Sequence, residues 1–166
     1  MKNLKIYKIV LTLFVAVFFV ACDEGGDPDP GATEVVEMAG DWYVQFLVDG
    51  EDIYGLGYQL ISTYNTAAND GTEMWIDDHG NTWQYKVKCP VNTSSLTFSG
   101  TGLNSNVDGY EVSVDVTNGT IVKNGATSTG GNTVDAISFD AVFSDDPSTT
   151  YHMEGYRRTG LLEDEH

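Results

Sequence analysis

The sequence predicts an all-β protein: an antiparallel up-and-down β-barrel of about 8 to 9 strands, with no substantial helix after an N-terminal leader. Two observations carry this. Apolar and polar residues alternate over short runs separated by Gly-, Asn- and Asp-rich turn signals. The connections also read as successive hairpins, and closing such a meander removes the exposed edges of an open sheet.

The opening strand, Ala39 to Val48, sets the phase. Trp42, Val44, Phe46 and Val48 fall on one face and Tyr43, Gln45 and Leu47 on the other, as in a half-buried strand. Gly40 admits the chain without Cβ hindrance. A charged turn, Asp49-Gly50-Glu51-Asp52, leads into a long strand over residues 53–64, where Gly55 and Gly57 mark a bulge or bend. Asn69-Asp70-Gly71 signals a hairpin into strands at 72–77 and 82–89, joined by Asp78-His79-Gly80-Asn81. Pro90 is expected to end that pair, because proline removes a ladder donor. A short strand at 96–99 precedes a polar loop, and residues 110–116 alternate strictly. Asn118-Gly119 then predicts a hairpin returning through 120–123. Residues 127–132 read as a flexible tip, and 134–143 with 149–158 as a last hairpin turning at Asp145-Asp146-Pro147-Ser148.

Residues 1–21 have the order of a signal peptide: Lys2, Lys5 and Lys8, an apolar run from Ile9 to Val20, and Ala21 directly before Cys22. The run is short for a bilayer span. Val20-Ala21-Cys22 resembles a bacterial lipobox, so Cys22 is expected to be acylated and to become the mature N-terminus. Residues 22–34 read as a disordered acidic tether, 35–160 as the barrel domain and 161–166 as an acidic C-terminal tail. The expected address is the cell envelope, at the outer membrane and with surface exposure in view, attached to the membrane through the acyl anchor only. Acidic residues behind the Cys resemble a surface-export tag in some bacteria and an inner-membrane retention signal in others, so the leaflet stays open.

The chain carries 8 Lys plus Arg against 25 Asp plus Glu, and loss of the three leader lysines leaves 5 against 25, about −20. That charge excludes nucleic acid as a partner, since no basic stripe exists to release counterions. With Cys22 assigned to lipidation, Cys89 stands alone and reads as a buried apolar residue on the face of Trp83, Tyr85 and Val87.

No catalytic set, cofactor or metal motif emerges. There is no Gly-x-Ser-x-Gly elbow. His79 in a turn and His152 in the last strand are the candidate bases, with Asp77, Asp78 or a distant Ser as partners; Asp77-Asp78 and Asp145-Asp146 are acidic turns at most suited to loose calcium. Asp140 and Glu154 lie in neighbouring strands, but nothing selects them as a glycosidase pair. The aromatics say more. Trp42, Tyr58, Trp83, Tyr85, Phe98 and Tyr151 are expected to face the barrel interior, where they either line a site for a small lipid-like ligand or fill the core. Trp75 is out of phase with Met74 and Ile76, which would expose it to a surface glycan or protein partner.

Gly40-Asp41-Trp42 on the opening strand and Tyr156-Arg157-Arg158 on the closing one resemble the Gly-x-Trp and terminal Arg of lipocalin-type barrels. The resemblance implies barrel closure through Gly40, Trp42 and an Arg packed across the indole. Arg157 and Arg158 point to opposite faces, so only one of them can serve. More of the chain, roughly residues 35–160, is similar to a bacterial lipoprotein family called lipid-binding putative hydrolase. The similarity rests on Ala39 to Val44, the run Trp83 to Cys89, Val134 to Phe143, and Glu154 to Gly160. It implies a lipocalin-like barrel on a lipid anchor that binds lipid; no hydrolase motif carries over. The expected function is therefore non-catalytic binding of an apolar or amphipathic ligand in the interior. The alternatives are a surface adhesion or glycan module, favoured by a filled barrel, and a hydrolase of a bound lipid ester. The last would need an enclosed His with a carboxylate and a Ser in hydrogen-bond reach.

Overall fold

A computed structural model describes residues 31–166; the leader, Cys22 and most of the tether lie outside the described residues. Ala32–His166 forms one compact unit. Eight antiparallel strands close into a barrel in sequence order: β1 (Gly40–Leu47), β2 (Gln59–Asn65), β3 (Glu73–Asp77), β4 (Lys86–Asn92), β5 (Thr97–Asn104), β6 (Ser113–Thr127), β7 (Thr133–Phe143) and β8 (Asp146–Arg157). β8 pairs back onto β1, with Trp42 opposite Arg157 and Leu47 opposite His152. The two ends differ. At the base a single 3-10 turn, Val36–Met38, precedes β1 and buries Met38. At the opposite end, the mouth, lie the connections 48–58, 78–85, 105–112 and 144–145.

The expected phase of β1 is the observed one: Trp42, Val44 and Phe46 are buried inside. Three strand expectations are corrected. Residues 53–58 form a loop, because Asp52 accepts hydrogen bonds from the Leu56 and Gly57 N–H groups at 3.0 and 2.8 Å and folds the chain about itself. Gly55 and Gly57 accordingly serve at positive φ in that loop and not as a strand bulge. Pro90 sits within β4, opposite Glu73, where the β4–β5 ladder begins only at Val91; no ladder bond to β5 is lost. The tip expected at residues 127–132 is the turn between β6 and β7, in which the Asn132 N–H donates to Ser128 Oγ at 3.0 Å.

Asn118-Gly119 makes no hairpin. β6 runs through it as one strand, and the ladders to β5 and β7 both shift register there, which sets the count at eight within the expected 8 to 9. Asn118 keeps the positive φ that the turn signal requires, at 55°, but spends it on a bulge. Gly119 passes so close to β5 that a Cβ would lie 2.3 Å from the Phe98 carbonyl oxygen. The extra residue reverses the strand's phase: Val114 and Val116 face inward before it and Ile121 after it.

Candidate functional site

At the base, Gly40 leaves the space that Arg157 fills, since a Cβ there would stand 2.8 Å from its Nη1. The guanidinium lies 4.7 Å from the Trp42 ring centre, donates to the Ala39 carbonyl at 2.8 Å and pairs with Asp135 at 3.2 Å. Below it, Trp42 Nε1 donates to Thr63 Oγ1 (2.8 Å), which donates on to the Met38 carbonyl (2.6 Å). Of the two arginines placed in barrel closure, Arg157 takes the role. Arg158 points outward, as alternation requires, to Glu165 and the Tyr43 hydroxyl.

The C-terminal segment 161–166 is seated against the barrel. Buried Asp164 accepts from Thr159 Oγ1, the Gly130 N–H and Asn132 Nδ2. Desolvation pushes its carboxyl up, but these donors outweigh it and hold the acid far below its ordinary range. His166 packs on Tyr43 and Tyr58. Tyr58 is thus outside the barrel, edge-on to Tyr156, and not in the interior where a strand over 53–64 would have put it.

Inside, Trp42, Tyr85 and Tyr151 are fully buried and Phe98 nearly so. The Tyr85 hydroxyl reaches Met153 Sδ at 3.3 Å. Burial raises the Tyr85 phenol well above its usual range and pushes the Cys89 thiol up to about 12. Apolar side chains from the surrounding strands fill the space, and the described cavities all open on the outside. One, of about 330 Å³, is lined by Gln45, Tyr58, Val122 and Tyr156.

The mouth is where the aromatics converge. Phe46 stacks on Tyr151 at 4.5 Å and Trp83 on Phe143 at 4.7 Å, with Trp83 5.0 Å from Tyr151 and Tyr54 6.5 Å beyond it. Trp83 is half-buried, and Tyr54 is 52% exposed. One turn holds this cap: Asp145 accepts from Trp83 Nε1 at 3.1 Å and from the Tyr110 hydroxyl, while Asp146 accepts from the Tyr151 hydroxyl at 2.7 Å. Tyr110 is the chief reason the Asp145 carboxyl sits below its ordinary value, and Tyr151 plays that part for Asp146. The Trp83 loop is organised by fully buried Asp78, which accepts from Thr82, the Trp83 N–H and the Gln84 N–H; burial still raises its pKa. Sequence reasoning found Trp83 and Tyr151 but missed Tyr54, Tyr110 and the part played by Asp145. Their common signal is that every mouth connection carries at least one aromatic or acidic residue.

Two polar clusters bear on catalysis. His79 Nε2 is 2.8 Å from Ser62 Oγ, and Asp77 lies 3.5 Å from His79 Nδ1. Ser62 Oγ, however, donates its single proton to Asp41 at 2.6 Å, so His79 Nε2 donates to the serine, the reverse of what a general base must do. His152 pairs with Asp140 at 2.6 Å on the outer face and is 40% exposed. Among the described residues, no three His, Cys, Asp or Glu side chains are placed to hold a metal. Trp75 stands on the outer face with Lys86 and Lys88 each 5.2 Å from its ring centre.

A search of curated proteins finds no match. The family model described as lipid-binding putative hydrolase matches residues 27–162, a span that takes in all eight strands, the 3-10 turn before β1 and the aromatic mouth. The chain therefore belongs to the lipid-binding putative hydrolase family.

Proposed function

We propose that this barrel takes up the apolar part of one lipid-like molecule through its aromatic mouth, without chemistry, while an acyl chain on Cys22 anchors it in the cell envelope. The observation that carries the reading is the construction of the cap. Its outer rings, Tyr54, Trp83 and Tyr110, come from separate loops, and Trp83 and Tyr110 are held over the apolar core by hydrogen bonds to the exposed Asp145 turn, not by a ladder. Such rings can swing aside and leave the sheet intact. Family membership supports lipid as the ligand class, and the proton direction at Ser62 supports binding over hydrolysis.

Native mass spectrometry of the protein recovered from its own cells tests this. A co-purifying mass that extracts into organic solvent is expected. A bare protein mass that also stays unchanged after incubation with fatty acids and phospholipids would sink the reading. Trp75 favours a second one, a surface glycan or protein contact, because it is an outward indole on an otherwise polar face. Binding to a glycan panel that Trp75→Ala abolishes would support it.

A further inference from the structure

The mouth has a charge as well as a shape. Its four connections, 48–58, 78–85, 105–112 and 144–145, contain seven carboxylates and neither lysine nor arginine. Lys123, Arg157 and Arg158 lie at the base, each paired with a carboxylate, Lys88 lies further down β4, and Lys86, at the mouth end of β4, is already paired with Asp77 at 3.3 Å. An anionic head approaching the mouth would meet mostly like charge. A cation would meet ring faces and a carboxylate together, the combination that recognises ammonium groups. Trp83 and Tyr110 converge on Asp145 from two different loops, and Tyr54 stands beside them over Tyr151. Asp145 is exposed, and an ionised carboxylate offers about four acceptor positions, so the two hydrogen bonds it accepts leave capacity for a ligand proton or charge.

We infer that the mouth selects a cationic amphiphile: one apolar chain bearing a primary or quaternary ammonium head. The head rests against Trp83, Tyr110 and Asp145, and the chain is directed past Tyr151 toward Phe46 and Phe143. This rests on the lipid-binding reading and adds the head-group chemistry to it. Repulsion disfavours the corresponding carboxylate or sulfate, and a neutral head gains only the chain's transfer energy.

The test is calorimetric titration of the full chain with decyltrimethylammonium, decanol and decanoate, each kept below its aggregation threshold. The ammonium is expected to bind at least tenfold more tightly than the alcohol, with decanoate weakest. Added salt should shrink the ammonium's advantage, because the rim is solvent-exposed. Asp145→Asn should bring the ammonium-to-alcohol ratio close to one. Glu163→Gln, which removes an exposed carboxylate of the C-terminal segment at the base, should preserve it. Alcohol or decanoate binding as tightly as the ammonium would overturn the head-group assignment and leave lipid binding standing. Failure of all three to bind would remove the lipid-binding reading as well.

Discussion

The two ends of this barrel are built from similar residues for opposite purposes. At the base, a fully buried indole lies under a half-buried guanidinium, and Trp42 and Arg157 both find polar partners. At the mouth, Trp83 also makes one hydrogen bond, but its acceptor is an exposed turn carboxylate and its neighbours are other rings. Burial makes the difference. A ring whose removal leaves a closed cavity is structural, whereas a ring whose place water can take is free to move.

The largest test of that contrast is truncation. Trp42→Ala empties a fully buried site and strands Thr63 and Arg157, and is expected to cost about 3–5 kcal/mol in chemical denaturation. Trp83→Ala should cost about 1 kcal/mol and act mainly on ligand uptake. Equal losses would make the mouth ordinary core. Glycine substitutions sharpen the contrast on a smaller scale. A Cβ at Gly155 would meet the Tyr43 carbonyl oxygen at 1.9 Å, a backbone contact that cannot yield, so Gly155→Ala should cost at least about 1–3 kcal/mol. Gly57, in a mouth loop, has nothing within 4 Å and only its φ of 64° to defend. Gly57→Ala should cost about 1 kcal/mol.

Acid offers a gentler probe. Asp145, Asp146 and Asp164 all have depressed pKa values in the folded chain. Each therefore contributes stability above its unfolded value, near 3.9, that is lost as pH falls through the folded value. Asp164 is held furthest down, so the tail and base should outlast the mouth. Lowering the pH from 5 to 2 should change the near-ultraviolet dichroism of the mouth aromatics before the far-ultraviolet strand signal. Simultaneous loss of both would break the two-end picture.

Local pattern carried much of this fold and less of the site. The period-two runs placed Trp42, Tyr85, Phe98 and Tyr151 inside, where they are. Gly40 and the tandem arginines marked the closing edge, and alternation left only the choice between Arg157 and Arg158 for the register to make. Asn118-Gly119 misled because a positive φ serves a bulge as well as a hairpin; the neighbouring strand's Phe98 carbonyl decides which, and it lies about twenty residues away. Tyr58 misled because Asp52 captures two backbone N–H groups and holds the chain in a loop. The mouth was legible only in pieces. Tyr54, Trp83, Tyr110 and Asp145 come from four connections, and no spacing rule links them before the barrel has closed.

Cys89 provides the finest measure of how far the opening reaches. Its thiol is fully buried on β4 between the two ends, and desolvation, with a lesser push from Glu73, raises it to about 12. At pH 8 it should resist a thiol reagent except through global unfolding, because the thiolate is the reactive form. Lifting the cap should therefore leave the labelling rate unchanged, both in Trp83→Ala and with ligand bound, while Trp42→Ala should speed labelling in step with its lost stability. Faster labelling in Trp83→Ala at unchanged global stability would instead mean that the opening runs down the barrel to β4, and the boundary between the moving end and the fixed one would lie below Cys89.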